Sequence, residues 1–273
     1  MQTLKNKTVF ITGGSRGIGR AIALRAARDG ANIIIAAKSD RPHSSLPGTI
    51  FSVSEEIENA GGRALPIKLD VRDDQAVLDA VNRAASHFDG LDILINNASA
   101  IALTRTLETP MRSFDLMHSV NVRGTFACSR ACLPHLMEAE NPHILNLSPP
   151  LNIDPVWFRD HLAYTMSKYG MSMCVLGMAA EFRSKGVAVN ALWPRTVIDT
   201  AAISMLGDVV KADNCRTPEI MADAAHEILC RDSKTTSGNF FLDEDVLRTT
   251  GVKDFDHYAV NAGQPLMKDL FLD

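Results

Sequence analysis

The sequence predicts an α/β fold, a doubly wound parallel sheet of about seven strands with helices on both faces. Short strands that are almost wholly apolar alternate with longer helical stretches, and strands of that composition are buried on both faces. No linker or internal repeat divides the 273 residues, of which 46% are hydrophobic. We therefore expect a single domain over residues 1–273, with a less regular packed tail from about residue 244, for which a partner subunit is a candidate packing surface.

The predicted elements follow one another in the order strand, helix, strand. TVFIT (8–12) is the first strand, RAIALRAARDG is the first helix, ended by Gly30, and NIIIAA is the second strand. A second helix, SEEIENAGG, is predicted where Ser52 and Glu55 have the spacing of a capping box. The later strands, each preceded by a helical run, are ALPIKLD, DILINN, HILNLS, VAVNALWP and NFFLD.

Composition disfavours several classes of protein. A net charge of −4 lacks the basic face of a nucleic-acid binder. The five cysteines are odd in number, form no CxxC pair and are expected to be free thiols, and the eight histidines lack metal-ligand spacing. The first residues show no apolar signal segment, and the longest uncharged helical stretch is shorter than the ~20 residues that span a bilayer. We expect a cytoplasmic protein without a metal, nucleic-acid or membrane partner.

The stretch TGGSRGIG joins the first strand to the first helix and places glycine at positions 13, 17 and 19. Such a turn reverses tightly and lets the backbone approach a ligand, while the helix presents unpaired N–H groups to a pyrophosphate. An ordinary tight loop is the alternative, and the position between strand and helix favours the phosphate-binding interpretation. The spacing G-x-x-x-G-x-G differs from the G-x-G-x-x-G of many dehydrogenases.

The stretch AYTMSKYG places Tyr164 four residues before Lys168, so that both share one helix face. Free tyrosine has a pKa of about 10, and a nearby ammonium is expected to lower it. Tyr164 could then take the proton of an alcohol while hydride moves to nicotinamide, and return it in the reverse direction. The alternative is a surface pair on an amphipathic helix.

Three motifs in this order, TGGSRGIG, NNAS (96–99) and Tyr164-x-x-x-Lys168, resemble those of the short-chain dehydrogenase/reductase family over about residues 5–245. The resemblance implies the Rossmann form of the doubly wound sheet. RPHSSLPGTI, HILNLSPPLN and NALWPRT are similar to one subgroup of that family, some of whose members carry a C-terminal sterol-carrier domain. The resemblance reaches no such domain here, so lipid transfer is not expected.

The resemblance also implies roles for individual residues. Tyr164 is the general acid/base with Lys168 beside it, Ser148 holds the substrate oxygen, and Asn121 anchors a water that links Lys168 to solvent. Asp70 is expected beside the adenine. The implied cofactor contacts come from the glycine turn, the strand ends and the catalytic helix: Gly13, Ser15, Arg16, Gly17, Ile18, Gly19, Lys38, Asp70, Val71, Asn97, Tyr164, Lys168, Pro194 and Thr196.

The end of the second strand predicts NADP(H) as the cofactor. NAD enzymes of this fold commonly place an acidic residue there for the ribose 2′-hydroxyl, whereas this strand ends in Ala36, Ala37 and then Lys38. Lys38 and Arg16 can meet a 2′-phosphate. The alternatives are that both are solvated cations, and that Asp40 serves a hydroxyl.

Two residues depart from the family pattern. Ser99 and Arg195 stand where glycine is usual, and glycine permits backbone angles that arginine resists. The loop over the nicotinamide, which includes Thr196, is therefore expected to differ. Pro149 favours an extended Ser148 and has no N–H to offer a substrate.

We therefore expect an NADP-dependent oxidoreductase acting on a secondary alcohol/ketone or alcohol/aldehyde pair. A hydrophobic substrate, such as a steroid, terpenoid or fatty chain, is suggested by apolar wall candidates: Leu151, Val156, Trp157, Phe158, Ile203, Met205 and Leu206. These side chains could instead pack in the core or at a subunit interface. The alternative function is a catalytically weak NADP(H)-binding sensor or scaffold.

The expected assembly is a homodimer or homotetramer. The helices around 110–137 and 160–184 carry apolar residues on more than one face, and family members usually pair through these helices.

Overall fold

The computed structural model describes residues 3–44, 46–204 and 210–273. Its strands form one seven-stranded, all-parallel sheet of order β3-β2-β1-β4-β5-β6-β7, which confirms the predicted doubly wound α/β fold. The strands are β1 (Thr8–Thr12), β2 (Asn32–Ala37), β3 (Arg63–Lys68), β4 (Ile93–Asn96), β5 (His143–Asn146), β6 (Ala188–Trp193) and β7 (Phe240–Leu242).

Helices connect the strands and cover both faces of the sheet. They are α1 (Gly17–Ala27), α2 (Ile50–Asn59), α3 (Asp74–Phe88), α4 (Met111–Met117), α5 (Gly124–Leu136), α6 (Val156–Arg159), α7 (Leu162–Glu181), α8 (Ala201–Ser204), α9 (Glu219–Leu229) and α10 (Asp243–Thr249). A π-helical turn, His118–Arg123, joins α4 to α5. Among the described helices, none is long and apolar enough to cross a membrane.

The apolar strands are buried because successive side chains point to opposite faces of the sheet. Val9 and Ile33 pack with α1, α2, α9 and α10 on one face. Phe10 and Ile34 pack with α3, α5 and α7 on the other. The continuous apolar character of TVFIT and NIIIAA therefore supplies side chains to both core layers. Because all the strand pairs are parallel, the carboxyl ends of the strands lie at one edge of the sheet.

The predicted capping box at Ser52 and Glu55 is wrong. The capping box joins Thr49 to Ser52, with Ser52 N–H donating to Thr49 Oγ1 (3.0 Å) and Thr49 N–H donating to Ser52 Oγ (2.9 Å). Helix α2 therefore begins at Ile50, because Thr49 supplies an earlier cap and Ile50 extends the buried face with Val53.

The C-terminal segment, residues 266–273, packs against the carboxyl edge of the sheet in its own chain. Asp269 N–H donates to the Arg195 carbonyl (3.1 Å), and Trp193 Nε1 donates to the Leu270 carbonyl (3.0 Å). Phe271 is only 1% exposed. The surface that buries Phe271 is this chain itself.

Candidate active site

The glycine turn has the geometry of a phosphate cradle. Gly13 (φ 67°) and Gly17 (φ 54°) adopt left-handed backbone angles, which favour glycine. A Cβ on Gly19 would lie 2.5 Å from Asn97 Nδ2 and 2.9 Å from the Gly13 carbonyl oxygen. Arg16 caps α1 without a side-chain hydrogen bond to its first N–H groups, so these groups can bind an anion.

Asn97, just after β4, fixes the shape of this turn. Its Nδ2 donates to the carbonyls of Thr12 and Gly13, both at 3.0 Å. The N–H groups of Asn97 and Ala98 donate in turn to Thr12 Oγ1 (3.0 and 3.1 Å). Asn97 therefore positions the cradle from the neighbouring strand. The part played by Thr12 was not predicted, although its place at the head of TGGSRGIG was a usable signal.

Arg16 reaches across to the loop that follows β2. Its guanidinium donates to Ser39 Oγ (2.9 Å) and to the carbonyls of Pro47 (2.9 Å) and Gly48 (3.2 Å). The positive charge of Arg16 therefore lies at the end of β2, where the cofactor ribose was expected. Its hydrogen-bond partners among the described residues carry no negative charge.

The two carboxylates near the end of β2 are paired with cations other than Arg16 and Lys38. Lys38 is exposed, and Asp40 forms an ion pair with Lys68 (2.8 Å). Asp70 is held by Arg72 through hydrogen bonds of 2.6 to 3.0 Å. The pKa of Asp70 is lowered, chiefly by the Arg72 hydrogen bonds and to a smaller extent by the charge of Lys38. Asp40 is thus paired with the last residue of β3, which lies beside Ala37 at the end of β2.

The remaining predicted cofactor contacts line the same edge. Ser15 is buried in the turn, and Ile18 is partly buried against the core. Val71 is buried after β3, and Pro194 is buried directly after β6. Thr196 Oγ1 is buried without a hydrogen-bond partner among the described residues, and such groups are normally paired. The cradle and this orphaned hydroxyl fit a bound dinucleotide.

Tyr164 and Lys168 are both buried on α7. Lys168 Nζ donates to the Leu147 carbonyl (2.5 Å) and lies 5.0 Å from the centroid of the Trp193 ring. This fixes the amine beside the residue that precedes Ser148. Ser148 Oγ is buried and makes no hydrogen bond within the described part of the chain, which suits it to receive a substrate oxygen.

Asn121 lies in the π-helical turn His118–Arg123 and is fully buried. Its Nδ2 donates to the Ala100 carbonyl and to Ser167 Oγ (both 2.9 Å), and its Oδ1 accepts from Ala100 N–H (2.7 Å). Asn121 therefore ties the loop after β4 to α7, one residue from Lys168. The water link through Asn121 stays a prediction.

The acid/base group has a different electrostatic setting from the one expected. Burial raises the pKa of Tyr164, and the Asp269 carboxylate raises it further. Burial lowers the pKa of Lys168 to about 7, against the opposing charge of Asp269. The expected lowering of the Tyr164 pKa is not found in this arrangement, because burial disfavours the charged forms of both Tyr164 and Lys168.

The two positions that lack the usual glycine are accommodated without left-handed backbone angles. Ser99 is exposed. Arg195 donates its N–H to Asp243 Oδ1 (2.9 Å) and its guanidinium to Asp245 (2.6 Å), while its carbonyl accepts from Asp269 N–H. Arg195 thus anchors the end of β6 to α10 and to the C-terminal segment, and this is how the loop differs from the family pattern.

The loop after β5 is anchored to α7, since the Pro149 carbonyl accepts from Ser172 Oγ (2.6 Å). Val156, one of the wall candidates, is 43% exposed, and Ile203 is partly buried on α8. Met205 and Leu206 lie outside the described residues. The other three wall candidates pack with Tyr164 and Phe271 in a third apolar cluster: Leu151, Trp157 and Phe158. No sequence signal pointed to Phe271 or Asp269, whose positions depend on contacts with distant residues.

Comparison with known proteins shows which proteins this chain resembles. Residues 7–208 match the family model described as short chain dehydrogenase. Hydroxysteroid dehydrogenase-like protein 2 of Danio rerio is 60% identical over 97% of this chain, which spans 64% of that protein. The chain thus covers less than two thirds of that relative's length. A putative dehydrogenase from Xanthomonas campestris has a TM-score of 0.97 and 55% identity, with 99% of each chain covered.

More distant structures share the fold and differ in cofactor. A metagenomic short-chain oxidoreductase in complex with NADP has a TM-score of 0.72 at 24% identity, covering 88% of this chain and 97% of its own. A short chain dehydrogenase from Mycobacterium paratuberculosis bound to NAD has a TM-score of 0.73 at 23% identity, with the same coverage. Structures of this fold thus bind either nicotinamide cofactor.

Proposed function

The chain belongs to the short-chain dehydrogenase/reductase family of NAD(P)-dependent oxidoreductases, and on this basis we propose that it is an NADP-dependent enzyme for a hydrophobic secondary alcohol/ketone or alcohol/aldehyde pair. One observation carries the proposal. Tyr164 and Lys168 are buried on α7, and Lys168 is bonded to the carbonyl that precedes the unpaired hydroxyl of Ser148. This arrangement lies at the same sheet edge as the glycine cradle.

The reduction follows from the chemistry of these side chains. The glycine turn would hold NADPH, which would supply the hydride when bound. The Ser148 hydroxyl hydrogen-bonds to the carbonyl oxygen and orients it. Tyr164 gives its phenolic proton to that oxygen as the alkoxide forms, acting as general acid. Lys168, held by the Leu147 carbonyl, fixes the loop that carries Ser148.

The pKa of Tyr164 supports reduction as the favoured direction. Burial and the Asp269 carboxylate both raise this pKa, so the phenol keeps its proton across the physiological range. A protonated tyrosine can donate to a forming alkoxide but cannot accept a proton from an alcohol.

The charges beside β2 support NADP(H) over NAD(H). Arg16 reaches the end of the strand from the glycine turn, and Lys38 is the first residue after it. Asp40, the carboxylate that could have served a ribose hydroxyl, is paired with Lys68. A 2′-phosphate would meet two cations here, and Arg16 can bind it with a fork of donors.

This cofactor preference is tested by titrating NADPH and NADH into wild type and the double variant Arg16→Ala/Lys38→Ala. Wild type should prefer NADPH by at least about tenfold, or 1.4 kcal/mol, and the double variant should largely lose that preference. A matched control is Lys5→Ala/Arg28→Ala, which removes two exposed cations from outside the turn. Equal or tighter binding of NADH by wild type would refute the proposal.

The closed catalytic centre favours one second candidate, an NADP(H)-binding sensor or scaffold with weak catalysis. Tyr164 and Lys168 are 5% and 2% exposed, so a substrate reaches them only if surrounding groups move. A screen of NADPH oxidation across ketones and aldehydes separates the two functions. A sensor should bind NADPH tightly and should not oxidise it with any compound in the panel. An enzyme should oxidise NADPH with at least one of these ketones or aldehydes.

A further inference from the structure

Phe271, in the C-terminal segment, occupies a cage of aromatic rings. Its ring centroid lies 5.3 Å from Tyr169, 5.8 Å from Trp193 and 6.0 Å from Trp157. The rings of His161 and Tyr164 lie at 5.9 and 6.3 Å. All five separations are within the contact range of aromatic pairs. We call these five residues the aromatic cage, and one of them is the predicted acid/base itself.

The backbone of Phe271 is strained. Its φ of 72° lies in the left-handed region, where bulky side chains are rare and where strain often marks a functional site. The adjoining residues hold the segment by hydrogen bonds: Trp193 Nε1 donates to the Leu270 carbonyl (3.0 Å), and Asn152 Nδ2 donates to Asp273 Oδ1 (2.8 Å). The ring is thus held in its cage by a strained backbone, and release of the ring would relieve that strain.

Phe271 also separates the catalytic groups from the surface. An open groove of about 430 Å³ is lined by residues 150–153 together with Phe271, Leu272 and Asp273. Tyr164 and Ser148 are not part of its lining. A substrate that enters along this groove therefore meets the Phe271 ring before it reaches the acid/base.

We propose that Phe271 holds the place of the substrate, and that the substrate is a hydrophobic carbonyl compound whose chain or ring displaces Phe271 from the aromatic cage. This rests on the proposed function, since it assigns the cage to the substrate of that reaction. The cage matches such a compound, because it offers aromatic faces around the space next to Tyr164 and a hydroxyl, Ser148, for the carbonyl oxygen. The polar end of the substrate binds at the catalytic residues, and its apolar part takes the position of the Phe271 ring.

Kinetics distinguish this role from simple core packing. If the Phe271 ring fills the cage in most free enzyme molecules, only the small fraction with an open cage can bind substrate, and the apparent affinity is weaker than the intrinsic affinity by that fraction. Removing the ring should therefore bring the apparent affinity back to the intrinsic value. For Phe271→Ala with 2-undecanone and NADPH, KM should fall at least about fivefold with no loss of kcat. Phe271→Leu, which keeps an apolar side chain, should give a smaller fall. The matched control Met267→Ala removes a 38% exposed side chain from the same segment and should leave KM unchanged.

Displacement is also measured without turnover. In the presence of NADP⁺, which cannot reduce a ketone, 2-undecanone should increase hydrogen exchange at the amides of residues 266–273. Trp157 and Trp193 are the two tryptophans of the chain and both flank Phe271, so their fluorescence reports ketone binding. The dissociation constant from this signal should be lower in Phe271→Ala than in wild type.

The outcomes separate this inference from the proposed function. Exchange that rises on ketone binding, with tighter binding by Phe271→Ala, supports the place-holding role even if no carbonyl is turned over, in which case only the proposed function fails. Turnover by wild type with an unchanged or higher KM in both Phe271 variants overturns the place-holding role. Protection of residues 266–273 by the ketone, or no ketone binding by wild type and variant alike, overturns it as well.

Discussion

At the scale of single residues, the site is defined by three ionisable groups, of which Tyr164 and Lys168 are buried and Asp269 is partly buried. Tyr164 and Lys168 come from α7, and Asp269 comes from the C-terminal segment. Burial raises the pKa of Asp269 to about 7, a value close to that of Lys168. Burial disfavours the charged form of both groups, and whenever Asp269 is ionised its carboxylate opposes the formation of tyrosinate at Tyr164.

The Asp269→Asn variant tests this setting. Asp269 raises the pKa of Tyr164, and removal of the negative charge makes tyrosinate easier to form. The rise of kcat/KM with pH for alcohol oxidation reports the free-enzyme base, and it should move to lower pH in Asp269→Asn. Asp256→Asn, which changes an exposed carboxylate, should not move it. A shift to higher pH in Asp269→Asn would contradict the assigned role of Asp269.

Residue roles were predictable where they belong to local motifs and not where they depend on distant packing. Tyr164, Lys168 and the glycines of the turn are visible in short stretches with fixed spacing. The pKa of Tyr164 was predicted in the wrong direction, because the sequence could not show that Phe271 and Asp269 close the site. A bulky residue with a φ of 72° leaves no pattern in the sequence.

At the scale of elements, the cofactor site depends on a contact between the glycine turn and the end of β4. Asn97 bonds to the backbone of the turn on one side and is approached by Gly19 on the other. The strands were predictable from their apolar runs, and β1 and β2 match TVFIT and NIIIAA residue for residue. The start of α2 was misplaced because Thr49 and Ser52 cap it earlier than the pair that was predicted.

Gly19→Ala tests the contact between the turn and β4. The new Cβ would lie 2.5 Å from Asn97 Nδ2 and 2.9 Å from the Gly13 carbonyl, so the cradle must deform. We expect the affinity for NADPH to fall by at least about tenfold, or 1.4 kcal/mol. Gly177→Ala is the matched control, because a Cβ there meets nothing within 4 Å. Calorimetric titration that gives equal NADPH affinities for Gly19→Ala and wild type would contradict the account of the cradle.

At the scale of the whole molecule, one face of α7 is apolar and exposed. Met166, Met173 and Leu176 are 44%, 61% and 47% exposed, and their spacing places them on one side of the helix. Phe126 on the neighbouring α5 is 53% exposed. Apolar surface of this kind commonly marks a protein interface. We propose that α5 and α7 pair with those of a second copy to form a homodimer or homotetramer.

The double variant Met173→Glu/Leu176→Glu tests the assembly, since it would bury two carboxylates in the interface. Light scattering at micromolar concentration should give an oligomer for wild type and a monomer for the variant. Leu78→Glu, which changes a 43% exposed residue of α3, should stay an oligomer. A wild-type protein that is a stable monomer under these conditions would refute the proposal.

Tyr164→Phe tests the central claim, that this buried tyrosine is the proton donor of a carbonyl reductase, most directly. The substitution keeps the ring in the aromatic cage and removes the acid. With NADPH and a ketone that wild type reduces, turnover should fall by at least about 10²-fold, the usual contribution of a positioned proton-transfer group, and NADPH affinity should be retained. Tyr258→Phe removes a hydroxyl bonded to Asp223 (2.7 Å) and should turn over like wild type. Turnover near the wild-type rate in a folded Tyr164→Phe variant that binds NADPH would contradict the claim.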